Sequence, residues 1–322
     1  MRRSLMALLV VAATSPAFAL DILVTNDDGF ETENIQALAR ALGEAGHDVI
    51  LSAPYLGQSG TGGQIAFLRP IPPTSRPSQG GRLPAGSPGV GPTGIAPQQF
   101  YVDGSPSAAA LYGLDVLAPR IWGHAPDLVI SGPNEGNNLG IITPHSGTLG
   151  AAMTALNKRV PAIAVSAEGS AADDAEIVAE LVVKLVDALT TRSGRVRLPR
   201  GIGLNVNTPA IDAATQSADD FAFVLTRIGE SANFGLQFFE NLGDSPVARG
   251  FGIPADIQLP GVSLAIPASS AGYPVDDDPR SESNALAPLV VTLSPIEGTP
   301  AADSADEGRV RGSLRELLRR RH

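Results

Sequence analysis

Two adjacent carboxylates at the end of an apolar strand are the clearest chemical feature of this sequence. The segment Ile22 to Thr25 is typical of a buried strand, and Asn26, Asp27 and Asp28 follow it directly. Like charges held side by side at a strand end repel one another, so a nearby cation is expected to compensate them. The pattern predicts a divalent cation at this point of the chain.

Two later strands are also followed by residues that carry oxygen ligands. Gln58-Ser59-Gly60 comes after one of them, and the Asn-rich segment Gly132 to Asn138 comes after the other. Ligands collect at the carboxyl ends of the strands in an open parallel sheet, so all three segments should meet at one edge. Carboxylates, a hydroxyl and an amide oxygen suit Mg²⁺, Mn²⁺ or Ca²⁺ better than Zn²⁺. The absence of cysteine and of metal-spaced histidine pairs also argues against a zinc enzyme.

The segment Ser146-Gly147-Thr148 opens a predicted helix and fits two roles. Ser146 is a favourable N-cap, which is a purely structural role. A helix N-terminus with a glycine and two hydroxyls is also an anion site, because free N–H groups and the helix dipole both face an incoming negative charge. Next to a cation held by two aspartates, this helix end would receive the oxygens of a phosphate group.

Short apolar runs alternate with helical patterns through the first two thirds of the chain. This alternation predicts an α/β fold, in which helices cover both faces of a mostly parallel sheet. After the first strand, the predicted strands are Val49–Ala53, Asp127–Ser131, Ala162–Ser166 and Ile202–Val206, and the predicted helices are Ile35–Leu42, Ala108–Leu117, Gly147–Leu156 and Glu176–Leu189.

Two loop-rich regions interrupt this rhythm. The insertion 69–98 is crowded with Pro, Gly and Ser, which predicts a long surface excursion outside the core. The region 231–285 is predicted to be a smaller arm for oligomerisation. We therefore expect a signal peptide at 1–19, a core at 20–230, the arm at 231–285, and a terminal strand with a basic helix at 286–322.

Charge and the first residues bear on partners and location. The formal net charge is −10, which disfavours a nucleic acid polymer as a partner.

The first residues have the order of an export signal. Arg2 and Arg3 come first, then the apolar run Leu5 to Ala13, then the small residues Ala17 to Ala19. Cleavage after Ala19 is therefore expected. The apolar run is too short for stable membrane insertion. We expect the mature protein to be periplasmic or secreted.

Six motifs follow one another along the chain: Asn26-Asp27-Asp28-Gly29, Gln58-Ser59-Gly60, Asp103-Gly104-Ser105-Pro106, Ser131 to Gly140, Ser146 to Ala152 and Val160 to Ser166. In order and spacing they resemble the motifs of the SurE survival-protein nucleotidases. Gly203 to Asn207 extends the match, so that the resemblance covers about Asp21 to Asn207, and Val291 to Pro295 also looks like the terminal strand of that family.

The resemblance implies a Rossmann-like three-layer core, a C-terminal arm that builds homodimers or homotetramers, and one divalent metal ion, Mg²⁺ or Mn²⁺. It implies metal-dependent hydrolysis of nucleoside 5′- or 3′-monophosphates. Asp27 and Asp28 would be the catalytic residues. By motif, the metal ligands would be Asp27, Asp28, Ser59 and Asn134, and the residues around the phosphate would be Asn26, Asn138, Ser146, Gly147 and Thr148.

The sequence departs from the family in ways that bear on substrate range. Ser107 stands where an Asp is usual, Pro133 replaces an aliphatic residue, and His145 takes a position often held by Tyr. His145 would protonate the leaving group or would be a plain surface residue. The nucleophile would be either water or the Asp27 carboxylate, and the sequence does not separate these.

Functions of other classes differ in how well they fit the sequence. A phosphatase for other phosphate esters or short polyphosphate remains open, and so does a periplasmic solute-binding protein, which needs two domains of similar size. A serine hydrolase lacks its Gly-x-Ser-x-Gly turn here. A dinucleotide oxidoreductase lacks its Gly-x-Gly-x-x-Gly segment after the first strand. Adjacent carboxylates also exclude an Asp-x-Asp phosphatase at that strand.

Overall fold

The centre of the fold is a sheet of nine strands, seen in a computed structural model that describes residues 19–168, 174–230, 232, 234–299, 309–311 and 313. A separate pair of strands, β9 and β10, forms a small antiparallel sheet. The strands in chain order are β1 (Asp21–Thr25), β2 (Asp48–Pro54), β3 (Val90–Pro92), β4 (Gln99–Val102), β5 (Leu128–Glu135), β6 (Ala162–Ala167), β7 (Ile202–Thr208), β8 (Ala222–Leu225), β9 (Gly235–Phe239), β10 (Gly261–Ala265) and β11 (Val290–Glu297).

Helices of the described residues pack on both faces of the large sheet or lie in the C-terminal region. The helix Pro106–Tyr112 continues through a π-helical turn, Gly113–Leu117. A 3-10 turn, Gly140–His145, precedes the helix Gly147–Asn157. The helices are α1 (Glu33–Glu44), α2 (Pro106–Tyr112), α3 (Ala118–Ile121), α4 (Gly147–Asn157), α5 (Ala175–Leu189), α6 (Pro246–Gly250) and α7 (Glu282–Ala285).

Six neighbouring strands of the large sheet run parallel, in the order β4-β2-β1-β5-β6-β7. The edges break this direction, because β3 is antiparallel to β4, and β11 is antiparallel to β7 while β8 runs parallel to β11. In the register, Val24 of β1 lies between Leu51 of β2 and Ile130 of β5. The predicted mostly parallel sheet is confirmed, and the strands that precede the candidate ligands are immediate neighbours.

Side chains of β1 alternate between two cores, one on each face of the sheet. Ile22 and Val24 pack with the buried residues of α1 and α5. Leu23 packs on the other face with the buried residues of α4 and of the π-helical turn after α2. This arrangement is the predicted three-layer, Rossmann-like architecture. It places α2 and α4 on the same face of the sheet, which is the face that Leu23 points to.

The insertion 69–98 is mostly exposed, and one short part of it, which the sequence analysis did not predict as a strand, joins the edge of the large sheet. Val90–Pro92 forms β3 at the sheet edge. Tyr101 in the neighbouring strand donates a hydrogen bond through its hydroxyl to the carbonyl of Pro88, at 2.7 Å. The buried rings of Tyr55 and Tyr101 lie beneath the insertion, with ring centroids 5.2 Å apart. Buried tyrosines with carbonyl partners attach a loop-like sequence to the core.

Part of the predicted organisation lies outside the described residues. The export signal falls on residues 1–18, and most of the predicted basic helix falls on 314–322. The terminal strand is present as β11. No helix in the described ranges combines the length and the apolar character needed to cross a membrane. The described residues form one large sheet and one small one, so the two similar domains that a solute-binding protein needs are not found among them.

Candidate active site

Three of the predicted site segments are brought together at the carboxyl edge of the sheet. The backbone N–H of Gln58 donates to the carbonyl of Asp27 at 2.6 Å, which places the Gln58-Ser59-Gly60 turn against the carboxylate pair. The backbone N–H of Glu135 donates to Asp28 Oδ2 at 3.0 Å, which places the end of β5 on the other side. The convergence predicted from the strand ends is therefore seen in two direct hydrogen bonds.

The helix α4 begins directly at the Asp27 side chain. Thr148 Oγ1 donates to Asp27 Oδ1 at 2.7 Å, and both residues are buried. A Cβ atom on Gly147 would lie 2.7 Å from Asp27 Cβ, so only glycine allows the helix to start this close. Ser146 is the N-cap, and its hydroxyl accepts from the N–H of Leu149 at 3.3 Å. In the structure Gly147 and Thr148 lie against Asp27, and their predicted role around a phosphate stays a prediction.

A second glycine of α4 brings the helix against the loop that follows Ser59. A Cβ atom on Gly150 would lie 2.2 Å from the carbonyl oxygen of Gly62, which no side chain could tolerate. The N–H of Gly62 donates to the carbonyl of His145 at 3.0 Å. His145 itself is exposed, so it lies at the rim of the candidate site.

Strand β5 is irregular where it delivers Asn134. Its register with β6 shifts between Ser131 and Asn134, which re-aims the side chains after the shift. Gly132 has φ +117°, and a Cβ atom there would lie 2.1 Å from the carbonyl oxygen of Val165. Asn134 Nδ2 donates to the carbonyl of Gly136 at 2.6 Å, which leaves the amide oxygen as its ligating atom.

The charges of the two aspartates are compensated differently. Burial raises the pKa of Asp27, while the Thr148 hydroxyl and the backbone N–H groups of Gly147 and Thr148 oppose the rise. Burial and the neighbouring Asp27 charge raise the pKa of Asp28 to about 7, against a single backbone hydrogen bond from Glu135. Within the described residues, neither aspartate forms an ion pair with a cationic side chain. Asp28 therefore has fewer hydrogen-bond donors than Asp27 to offset its burial.

This charge balance fits a divalent cation. A buried carboxylate without a cationic partner is costly, and a metal ion is one of the few groups that offset it. No group of three or more His, Cys, Asp or Glu side chains that could hold a metal ion is found among the described residues. A cation here would use the two carboxylates with neutral oxygens, and the predicted set of Asp27, Asp28, Ser59 and Asn134 supplies both kinds. Ser59 is exposed on its turn, whereas the other three are buried.

Two predicted phosphate residues have their side chains engaged elsewhere in the structure. Asn26 closes its own turn, since its Nδ2 donates to the carbonyl of Gly29 at 2.9 Å and its Oδ1 accepts from the N–H of Gly29 at 3.2 Å. Asn138 Nδ2 donates to Ser166 Oγ at 2.8 Å. Both side chains shape the loops that surround the carboxylates, and a direct role at a phosphate stays a prediction.

Sequence reasoning missed several residues that hold the site loops. Glu31 accepts hydrogen bonds from the insertion, at the hydroxyl of Ser78 (3.0 Å) and the N–H groups of Gly80 (2.6 Å) and Arg82 (3.1 Å). Gln79 Oε1 accepts from the N–H of Gly57 at 2.9 Å, one residue before the Gln58 turn. A lone Glu and a Gln in a Pro-rich loop give no periodic signal, so the sequence alone offered no way to find them.

The part of the chain that holds this site is similar to known proteins. A family model described as "Survival protein SurE" matches residues 22–233. An acid phosphatase of Yarrowia lipolytica is 38% identical over 205 residues, which is 59% of this chain and 57% of the relative. A 5′-nucleotidase SurE of Gloeobacter violaceus is 36% identical over 190 residues, 59% of this chain and 64% of the relative. The chain thus spans about three fifths of the length of these curated relatives.

The fold has a counterpart among solved structures. The crystal structure of a SurE protein from Aquifex aeolicus superposes with a TM-score of 0.64 at 24% sequence identity. The match covers 92% of this chain and 99% of that one. At this level of identity, the superposition supports the architecture of the layers and strands, and the arrangement of the site depends on the contacts described above.

Proposed function

The chain belongs to the SurE family, and from that premise we propose that it is a metal-dependent phosphomonoesterase that hydrolyses nucleoside 5′- or 3′-monophosphates to nucleoside and phosphate. The observation that carries the proposal is the buried pair Asp27 and Asp28, neither of which has a cationic side chain as a partner among the described residues. A binding protein for neutral ligands would have no reason to keep such a pair at the edge of its sheet.

The substrate class is proposed from the relatives' names together with the helix end. The curated relatives are named 5′-nucleotidase SurE and acid phosphatase, and both names describe release of phosphate from a monoester. The N-terminus of α4 places its positive dipole end beside the carboxylates, which suits a phosphate group.

Mg²⁺ or Mn²⁺, held by Asp27, Asp28, Ser59 and Asn134, would neutralise the carboxylates and stabilise charge on the phosphoryl oxygens. The chain's own residues supply orientation. Thr148 holds Asp27 Oδ1 at 2.7 Å and so fixes the carboxylate. A fixed Asp27 carboxylate suits both alternatives for the nucleophile. It would accept a proton from an attacking water, or it would attack the phosphorus atom itself.

The test is phosphate release from 5′-AMP, 3′-AMP and an aryl phosphate by the purified protein, with Mn²⁺ or Mg²⁺ and with EDTA. We expect metal-dependent release that EDTA and Asp28→Asn both abolish, and Asp256→Asn, an exposed carboxyl, should leave the rate unchanged. Release from the aryl phosphate alone would favour the alternative of a phosphatase for other esters. A folded protein that binds Mn²⁺ but releases no phosphate from any substrate would refute the proposal.

Self-association and export belong to the same proposal. On the β9–β10 pair, Phe238 and Val262 are register partners and are 66% and 59% exposed, an apolar cross-strand pair of the kind that a second copy would cover. We expect a dimer or tetramer by light scattering, and Phe238→Ser should weaken it.

Export is tested by mass spectrometry of the secreted protein. We expect a mass that matches a chain beginning at Leu20. A mass that matches a chain beginning at Met1 would refute cleavage after Ala19.

A further inference from the structure

Glu282 is a buried carboxyl group far along the chain from the candidate site. It lies in the short helix α7, within the region that the sequence predicts to be an oligomerisation arm, and it is 0% exposed. The described residues give it no ion pair, and burial raises its pKa. An unpaired carboxyl in the interior is costly, so its hydrogen bonds must matter.

Three donors face the two oxygens of Glu282. Oε1 accepts from the N–H of Gly140 at 2.9 Å. Oε2 accepts from Asn205 Nδ2 at 2.9 Å and from Ser294 Oγ at 2.7 Å. The first donor belongs to the loop that follows β5, the second to β7, and the third to β11.

The first two donors lead directly into the candidate site. The same Asn205 Nδ2 that faces Glu282 also donates to the carbonyl of Asn138 at 3.0 Å. Asn207 contacts the same residue twice, since its Oδ1 accepts from the N–H of Asn138 at 2.9 Å and its Nδ2 donates to the carbonyl of Asn138 at 3.2 Å. Gly140 lies two residues further on. The loop between the metal-ligand candidate Asn134 and helix α4 is therefore fixed from outside.

We propose that Glu282 is a positioning residue of the active site, which through Gly140 and Asn205 holds the loop 134–140 in its working position. The inference rests on the proposed function for its catalytic consequence, whereas the loop restraint itself is independent of any activity. It connects the C-terminal region of the chain to the loop that carries the candidate ligand Asn134 and the candidate phosphate residue Asn138.

Glutamine cannot replace Glu282 without breaking this connection. If its amide oxygen accepts from Gly140, its NH₂ group faces Asn205 Nδ2, and two donors oppose each other. Asn205 would have to turn its amide to present oxygen, and it would then lose the hydrogen bond to the carbonyl of Asn138. This holds whether or not the Glu282 carboxyl is protonated, because Asn205 needs an acceptor in either form.

Ser294→Ala is the matched control. Ser294 is as buried as Glu282 and contacts the same Oε2, but it lies on β11 and its other hydroxyl contact is Thr226, at 2.9 Å. Removing its hydroxyl takes away one donor without disturbing Gly140 or Asn205. Both variants should lower Tm, so a difference between them at the site loop cannot come from stability alone.

The experiment measures amide hydrogen exchange of peptides spanning 134–142 and the kinetics of phosphate release, in wild type, Glu282→Gln and Ser294→Ala. We expect faster exchange in this loop only for Glu282→Gln, and a loss of roughly 10- to 100-fold in kcat/KM for that variant alone. Asn205→Ala, which removes the connection but leaves Glu282 in place, should give the same pattern and serves if Glu282→Gln does not fold.

The outcomes separate this inference from the proposed function. Faster loop exchange in Glu282→Gln, with no phosphate release even from wild type, would support the restraint and refute the nucleotidase. Loop exchange equal in Glu282→Gln and Ser294→Ala, with wild-type kcat/KM in both, would overturn the inference while the nucleotidase stands.

Discussion

Replacing Asp28 by Asn should make the metal-free protein more stable at pH 8. Burial and the Asp27 charge raise the pKa of Asp28 from the ordinary value of 3.8 to about 7. Keeping this group ionised in the folded state therefore costs about 3 pKa units, or about 4 kcal/mol. Asp28 is only 9% exposed, so solvent screens little of this cost. An amide at this position keeps an oxygen for the N–H of Glu135, and it removes the charge.

The sign of the pH dependence follows from the raised pKa. The folded state holds the Asp28 proton more tightly than the unfolded state, so the stability that this group contributes is complete below about pH 4 and is lost as the pH rises to about 7. The advantage of Asp28→Asn should thus be greatest above pH 7 and fall to about 2 kcal/mol at pH 5. Asp256→Asn, at an exposed carboxyl, is the control variant.

A divalent cation should narrow this difference in stability. At a concentration of 100 times Kd, a ligand stabilises the folded state by about 2.7 kcal/mol, and the variant that has lost a ligand gains less. The assay is urea unfolding at pH 5 and pH 8, in EDTA and in MnCl₂. The reasoning fails if Asp28→Asn is no more stable than wild type in EDTA at pH 8, or if Mn²⁺ stabilises both proteins equally.

Three further predictions concern the contacts around Asp27 and the insertion. Gly147→Ala should cost roughly 1–3 kcal/mol in unfolding free energy, because its Cβ would lie 2.7 Å from Asp27 Cβ, and urea unfolding measures this. Thr148→Val should raise the pKa of Asp27 further and move the acid limb of the pH–rate profile to higher pH, whereas Thr148→Ser should not. Glu31→Gln should speed proteolysis within 78–82, because the N–H groups there lose a charged acceptor, and peptide mapping would detect the cleavage.

The core of the fold could be predicted because its signal is periodic. Strand β1 and helix α1 bury apolar residues at regular spacing, and both lie where the sequence placed them. Strands β3 and β4 were missed. Gln99–Val102 has four residues and adjoins a Pro-rich insertion, so nothing in the sequence shows that Tyr101 and Tyr55 attach that insertion to the core.

The site could be predicted in its chemistry but not in its hydrogen bonds. The convergence of Asp27, Asp28 and the Gln58 turn followed from parallel strand ends. The contact between Thr148 and Asp27 did not, because it depends on how closely α4 approaches β1. Glu282 could not be found at all, since a Glu among polar residues in a loop-rich region resembles a solvated side chain until β7 and β11 enclose it.

Cation binding should release protons, because the metal-free aspartate pair holds a proton near neutral pH. The raised pKa values of Asp27 and Asp28 both favour the protonated form, while a ligating carboxylate must be ionised. Below pH 7 the apparent affinity for Mn²⁺ should therefore rise about tenfold for each pH unit, and level off above it. Calorimetry in buffers of different ionisation enthalpy would count the protons released. An affinity that stays constant between pH 5.5 and 7 would show that the pair is already ionised, and that the helix end of α4 compensates it without a cation.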